Sequence, residues 1–359
     1  MQKPIKAFRV KDLFFQAASL LFVAFVLLYP ARCIGAAKDG LNLSLYMVLP
    51  SLFPFMVIST YITETLELPE WMTKPVSRFL NLSPAASVPF LLGLISGYPT
   101  GAVLAAASVR KKNISAEEAS YLLPFCNAGG PLFIVGVAGG GMLGSFQIGY
   151  FLYAVHLISI FIACLLLRKN APKAFSHTSA PAAKQSGAFL SAVDKGVHSM
   201  LNVMGMIIFF SVVCEIFKIS GLLNRLPCPP LFLGLIELTS GMNQIALSEL
   251  SLRLKISLCA ALIGFSGLCI FMQASLAVKG TFIRLNRYIW GKCLIAALSF
   301  AIAYFAFPYL PLPKETFAMQ STAPFSSPYL AVSYIFIIAL SVLCRSAKRI
   351  KGTFFGNRD

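Results

Sequence analysis

The sequence predicts an all-α polytopic membrane protein, with about eight transmembrane helices and two re-entrant helical hairpins arranged as an inverted repeat. Three observations predict it. Of 359 residues, 57% are apolar and 12% charged, with a mean hydropathy of +0.77; a soluble domain carries about 25% charged residues. Apolar runs recur at the length of about 20 residues that crosses a hydrocarbon core. Two of these runs are interrupted by turn formers, and the basic residues collect on one side only if both turn back.

The spans fall at about 13–30, 41–63, 119–143, 146–167, 196–217, 255–278, 289–309 and 328–344. Lys3, Lys6, Arg9 and Lys11 precede the first, whose apolar run is long for a cleavable signal and lacks a small-residue cleavage site, so it is expected to be retained. The interrupted runs lie at about 86–108, broken at Gly97-Tyr98-Pro99-Thr100-Gly101, and 229–247, broken at Thr239-Ser240-Gly241. Backbone that leaves the helix at membrane depth must be satisfied by protein or a wet cavity, which favours hairpins over spans. With both hairpins turning back, Arg110-Lys111-Lys112, the 168–195 cluster, Lys279, Arg284, Arg287 and the basic tail all lie with a cytoplasmic N-terminus. The chain then divides into an N-terminal helix (1–40), a first repeat (41–168), a cytoplasmic linker (169–195), a second repeat (196–310) and a C-terminal helix with a basic tail (311–359).

The net charge of +17 is expected to report topology and not nucleic-acid binding, because no soluble stretch alternates basic with aromatic residues. The nine cysteines sit mostly in apolar runs, never as C-x-x-C, and the three histidines form no ligand motif, so neither metal nor other cofactor is expected. No nucleotide loop or nucleophile elbow is present, so no enzymatic activity is expected.

A repeat supports two related halves. Pro89 to Ile95 reads P-F-L-L-G-L-I, and Pro230 to Ile236, 141 positions later, reads P-L-F-L-G-L-I. Each half runs span, hairpin, span, span, and the two hairpins enter from opposite sides. Two halves of opposite topology about an axis in the membrane plane, with substrate held at the broken segments, is a plan of secondary transporters.

The candidate substrate-binding residues lie at those breaks. Gly97, Tyr98, Thr100 and Gly101 combine backbone freedom with two hydroxyls, and a helix starting near Thr100 aims its dipole at the membrane centre, where an anion is stabilised. The alternative is a kink for packing. Asn127 and Gly130 lie in the Gly-Pro break of the third span, offering an amide side chain and free backbone groups. Glu237, with Thr239, Ser240 and Gly241, puts a carboxylate in an apolar hairpin, where an unpaired charge is costly; it carries a coupling ion, bonds substrate, or sits near the outer surface. Ser115 to Glu118 fits a capping box. His156 is expected to be a bonded core residue. Few buried Lys or Arg are expected, so backbone amides and hydroxyls are the expected anion ligands.

Pro50-Ser51-Leu52-Phe53-Pro54-Phe55, Ser96 to Ala102, Asn127 to Phe133 and Glu237 to Gly241 together resemble the sporulation integral membrane proteins of the YlbJ type, in the nucleoside-recognition or Gate domain group. The resemblance implies two Gate-like repeats and a multi-pass protein of the cell membrane or outer forespore membrane, with both termini cytoplasmic. It implies transport of dipicolinic acid, a small organic anion, into the forespore. Nucleoside carriers in the group keep a nucleoside or other heterocycle open as substrate, and a non-transporting scaffold in spore assembly is a further alternative. The implied partners are the lipid bilayer, the organic anion and other sporulation membrane proteins, with no nucleic acid.

Overall fold

The computed structural model describes residues 10–66, 68–172, 174, 187–226 and 228–310. The expected span at 328–344, the basic tail and residues 173 and 175–186 of the 169–195 linker lie outside the described residues. Among those described, every regular element is helical.

The first half begins with α1 (Val10–Leu28), α2 (Pro30–Leu43) and α3 (Leu49–Thr65), the last two joined by a π-helical turn. α4 (Glu70–Leu80) follows, then α5 (Ser87–Ser96), α6 (Thr100–Arg110), α7 (Ala116–Cys126), a π-helix over Leu132–Met142, and α8 (Phe146–Leu167). The second half comprises α9 (Ala188–Ile219), α10 (Pro229–Ile236), α11 (Leu238–Leu247), α12 (Leu252–Phe265), α13 (Gly267–Ala277) and α14 (Asn286–Ala306).

Among the described residues, five helical stretches are long and apolar enough to cross a membrane: Pro30–Thr65, Phe146–Asn170, Ala188–Ile219, Leu252–Ala277 and Asn286–Tyr309. They correspond to five of the expected spans. The expected span at 119–143 is divided between α7 and the π-helix, because Gly129, Gly130 and Pro131 interrupt the ladder. α1 has a shorter apolar stretch, Phe15–Leu28. The sequence pattern gave no sign of α4. Its Glu70, Lys74 and Arg78 suit a helix lying along the membrane surface, and it meets the Pro84–Ser96 segment at 98°.

Both interrupted runs are hairpins. In the first, a Cβ on Gly93 would approach Gly101 Cα to 3.1 Å; in the second, a Cβ on Gly241 would overlap Gly234. Gly93 and Gly234 are the glycines of the two repeated heptapeptides, so the repeat marks where the two arms cross, and only a residue without a side chain fits there. The second break falls at Glu237, two residues before the expected Thr239, which together with Ser240 and Gly241 forms the first turn of α11.

Polar contacts sort the helix ends onto two faces. On one, Arg110 Nη2 donates to Ala277 O at 3.0 Å and Lys279 O at 3.1 Å, Arg168 Nη2 to Arg78 O at 2.8 Å, Arg284 N to Ser120 Oγ at 2.7 Å, and Lys195 pairs with Glu64. The Ser115–Glu118 capping box forms there, and Ser83 N donates to Glu118 Oε1 at 2.8 Å, bringing the starts of α5 and α7 together. On the other, Arg32 pairs with Glu215 at 2.6 Å, Lys218 with Glu215 at 3.4 Å, Lys255 Nζ donates to Ala246 O at 2.8 Å, and Arg253 Nε donates to Tyr304 O at 2.8 Å. The first hairpin has both ends on the Arg110 face and the second has both on the Arg32 face. The two therefore enter from opposite sides, as the charge count requires.

Candidate functional site

The first hairpin turns at Gly97, whose φ of +81° suits glycine, and α6 starts at Thr100, whose amide donates to Gly97 O at 3.0 Å. The tip is seated on the break after α7. A Cβ on Gly97 would lie 2.9 Å from Gly130 N, and one on Gly130 would lie 3.0 Å from Gly97 Cα. Gly101 faces the Cys126 carbonyl, with no room for a methyl group. Tyr98 is buried with its ring tilted against Phe133, centroids 6.2 Å apart. Neither the Tyr98 hydroxyl nor Thr100 Oγ1 has a hydrogen-bond partner among the described residues.

The second tip is built differently. Glu237 is extended and only 2% exposed, and its carboxylate accepts from Thr239 N at 3.1 Å and Ser240 N at 2.7 Å. Its two oxygens cap the positive end of α11. The amides expected to receive a substrate anion at this tip are thus already satisfied by the protein's own carboxylate. The hairpin rests on the second broken span, where Ser266 and Gly267 have φ of +78° and +75° between α12 and α13, and a Cβ on Gly267 would lie 3.0 Å from Gly234 O.

The two tips share a small cavity of about 30 Å³. Tyr98 and Gly130 line it from the first half, and Glu237, Thr239 and Gln273 from the second. A water occupies about 30 Å³ of liquid volume, so the cavity has space for small polar groups but not for an aromatic ring. A cavity of about 460 Å³, lined by Arg32, Glu215, Lys218, Ser240, Asn243 and Gln244 among others, lies on the Arg32 face, and Thr239 contributes to both. Of the predicted site residues, the structure brings Tyr98, Gly130, Glu237 and Thr239 around the small cavity and Ser240 to the large one. Gly97 and Thr100 flank the first tip. Gly101 and Gly241 sit at helix crossings.

Asn127 leads to a residue that sequence reasoning missed. Lys292 of α14 is 1% exposed, and its ammonium donates to Asn127 O at the carbonyl end of α7. The approach depends on Gly291, where a Cβ would come within 2.5 Å of Pro124. The Lys292 ammonium lies 5.6 Å from the Tyr288 ring centroid and 6.0 Å from that of Tyr98. Asn127 Nδ2 donates to Tyr288 Oη at 2.9 Å, and Gly129 N donates to His156 Nε2 at 3.0 Å. His156 is a bonded core residue, as expected, but on one nitrogen only. Few buried cations were expected, and Lys292 is the one fully buried Lys or Arg among the described residues. Its signal was one lysine inside an otherwise apolar run from Tyr288 to Ala306, hidden by the basic cluster just before that run.

The chain is 26% identical over 327 residues to the sporulation integral membrane protein YlbJ of Bacillus subtilis (strain 168), a match covering 80% of each chain. That similarity supports the YlbJ-type assignment. No protein-family model matches the chain, and no solved structure matches it. The segments Ser96 to Ala102, Asn127 to Phe133 and Glu237 to Gly241 are the two hairpin tips and the first broken span, the three elements that meet around the small cavity.

Proposed function

We infer that this YlbJ-type membrane protein transports a small organic anion, with dipicolinate the leading candidate, by alternating access of two inverted halves. The observation that carries the reading is the small cavity shared by two hairpins that enter from opposite faces, mostly apolar in its walls, with Tyr98, Glu237, Thr239 and Gln273 among its lining residues. A cavity wall divided between halves of opposite topology changes its accessible side when one half tilts against the other. The larger cavity supplies an approach on the Arg32 face. Because an aromatic ring exceeds the small cavity, the tips must part to admit one, which fits an occluded arrangement. The Arg110 face, with its denser basic residues, is assigned to the cytoplasm, in the cell membrane or the outer forespore membrane. Neither catalysis nor a cofactor is part of this reading.

A nucleoside or other heterocycle is the second reading. Asn243 and Gln244 line the larger cavity and offer amide groups suited to a base, whereas Asn127 lies elsewhere, beside Tyr288 and Lys292. Uptake into proteoliposomes, with dipicolinate and a nucleoside offered side by side, separates the two. Dipicolinate accumulation above that of protein-free vesicles is expected. Accumulation of the nucleoside alone, or of neither, would overturn the anion reading.

A further inference from the structure

We propose that Lys292, Tyr98 and His156 form a carboxylate-binding site at the break between α7 and the following π-helix, and that Lys292 supplies the charge that holds the substrate there. The proposal rests on the organic-anion reading above and names the residues that recognise the anion.

A buried ammonium within a membrane protein needs a counter-charge or a full set of acceptors. Lys292 has neither. None of the ion pairs among the described residues includes it, and Glu237, the buried carboxylate at the neighbouring tip, is engaged by the Thr239 and Ser240 amides. One of its three N–H donors reaches the Asn127 carbonyl. Two tyrosine faces and the negative end of α7 stabilise the charge in part.

The surrounding groups are also donors without acceptors. Because Gly129 N–H donates to His156 Nε2, that nitrogen carries no proton, and the neutral ring has its proton on Nδ1. Nδ1 is buried and has no partner among the described residues, and the same holds for the Tyr98 hydroxyl. A Cβ on Gly129 would sit 3.3 Å from Tyr98 Oη, so Tyr98 and the backbone amide that holds His156 are immediate neighbours. Buried polar groups in proteins are otherwise almost always bonded. An ammonium with two N–H groups beyond its bond to Asn127 O, an imidazole N–H and a phenol hydroxyl without partners form a donor-rich cluster complementary to a carboxylate, although Asn127 also keeps an unbonded acceptor, Oδ1, there. Tyr98 also lines the cavity between the hairpin tips, so an anion held here lies on the route between the two faces.

The test uses the full chain in detergent, with binding read from ligand-induced thermal stabilisation and from equilibrium binding. The probes are dipicolinate, the uncharged pyridine-2,6-dicarboxamide and uridine. Wild type is expected to bind dipicolinate in preference to the diamide. Lys292→Met should weaken dipicolinate binding by about tenfold or more, the size of a lost charge-assisted hydrogen bond, and remove the preference over the diamide; Lys292→Arg should retain part of it. Tyr98→Phe removes only an unbonded hydroxyl, so the empty protein should melt as wild type does while dipicolinate binding falls several-fold. This second variant keeps the test decisive if Lys292→Met does not fold. Dipicolinate binding unchanged in both Tyr98→Phe and folded Lys292→Met, or unchanged in Tyr98→Phe where Lys292→Met does not fold, overturns the site, and wild-type dipicolinate uptake then leaves the transport reading standing. Wild-type binding of uridine with no response to dipicolinate overturns both.

Discussion

The two hairpins occupy equivalent places in their halves, yet their tips are finished in opposite ways. At the second tip a single extended residue, Glu237, turns the chain and caps the helix that follows, so the tip is electrostatically complete. At the first, Gly97, Tyr98 and Pro99 make the turn, and the hydroxyls of Tyr98 and Thr100 are buried without partners. The charge beside the first tip comes from the other half of the chain, on Lys292. The two halves share the order of hairpin and broken span but not the chemistry of the tips. One tip carries its own ligand, and the other is open to one.

The largest effect is expected where backbone meets backbone. Gly101→Val places a side chain on the Cys126 carbonyl, which cannot move without opening the hairpin. No monodisperse protein is expected after detergent extraction. Gly205→Ala, with open space around its Cβ position, is the control and should be recovered as wild type.

Glu237→Ala comes next and addresses the contrast between the tips. It leaves two buried amides without their charged acceptor, a loss of about 2–3 kcal/mol, while Glu237→Gln retains an acceptor oxygen and should lose less. Thermal unfolding in detergent measures both. Full stability in Glu237→Ala would show that the second tip is as open as the first. Tyr98→Phe is the mirror case: stability should stay within about 0.5 kcal/mol of wild type, or rise, because the hydroxyl is unbonded in the empty protein. A marked loss would mean that the first tip is as complete as the second. The smallest effect is expected for Arg32→Ala. Its partner Glu215 is mostly buried but Arg32 is 55% exposed, and Lys218 also contacts Glu215, so about 0–1 kcal/mol is at stake in the same melt.

The architecture was legible because the membrane imposes simple constraints on sequence. Helix length, turn formers at membrane depth and the one-sided placement of Arg and Lys were enough to set out the hairpins and their opposite entry. The glycines of P-F-L-L-G-L-I and P-L-F-L-G-L-I were legible as a repeat, and the structure supplies their reason at the two arm crossings. What sequence could not supply depends on contacts between distant residues. Lys292 lies 165 positions from the carbonyl it bonds, and its place in an apolar run does not say which groups it meets. The turn at Glu237 was placed two residues late because Thr239, Ser240 and Gly241 look like turn formers, whereas the carboxylate just before them caps a helix that includes all three. α4 was missed because its charges mask a helix short of membrane length.

Opposite entry of the two hairpins is the claim on which the shared cavity depends, and sided thiol labelling tests it most directly. In a chain with the native cysteines replaced, Lys111→Cys sits beyond the first hairpin and Glu249→Cys just beyond the second, both at exposed positions. On intact cells, a membrane-impermeant maleimide is predicted to label Glu249→Cys at once and Lys111→Cys only after permeabilisation. Labelling of both from the same side would contradict the inverted arrangement.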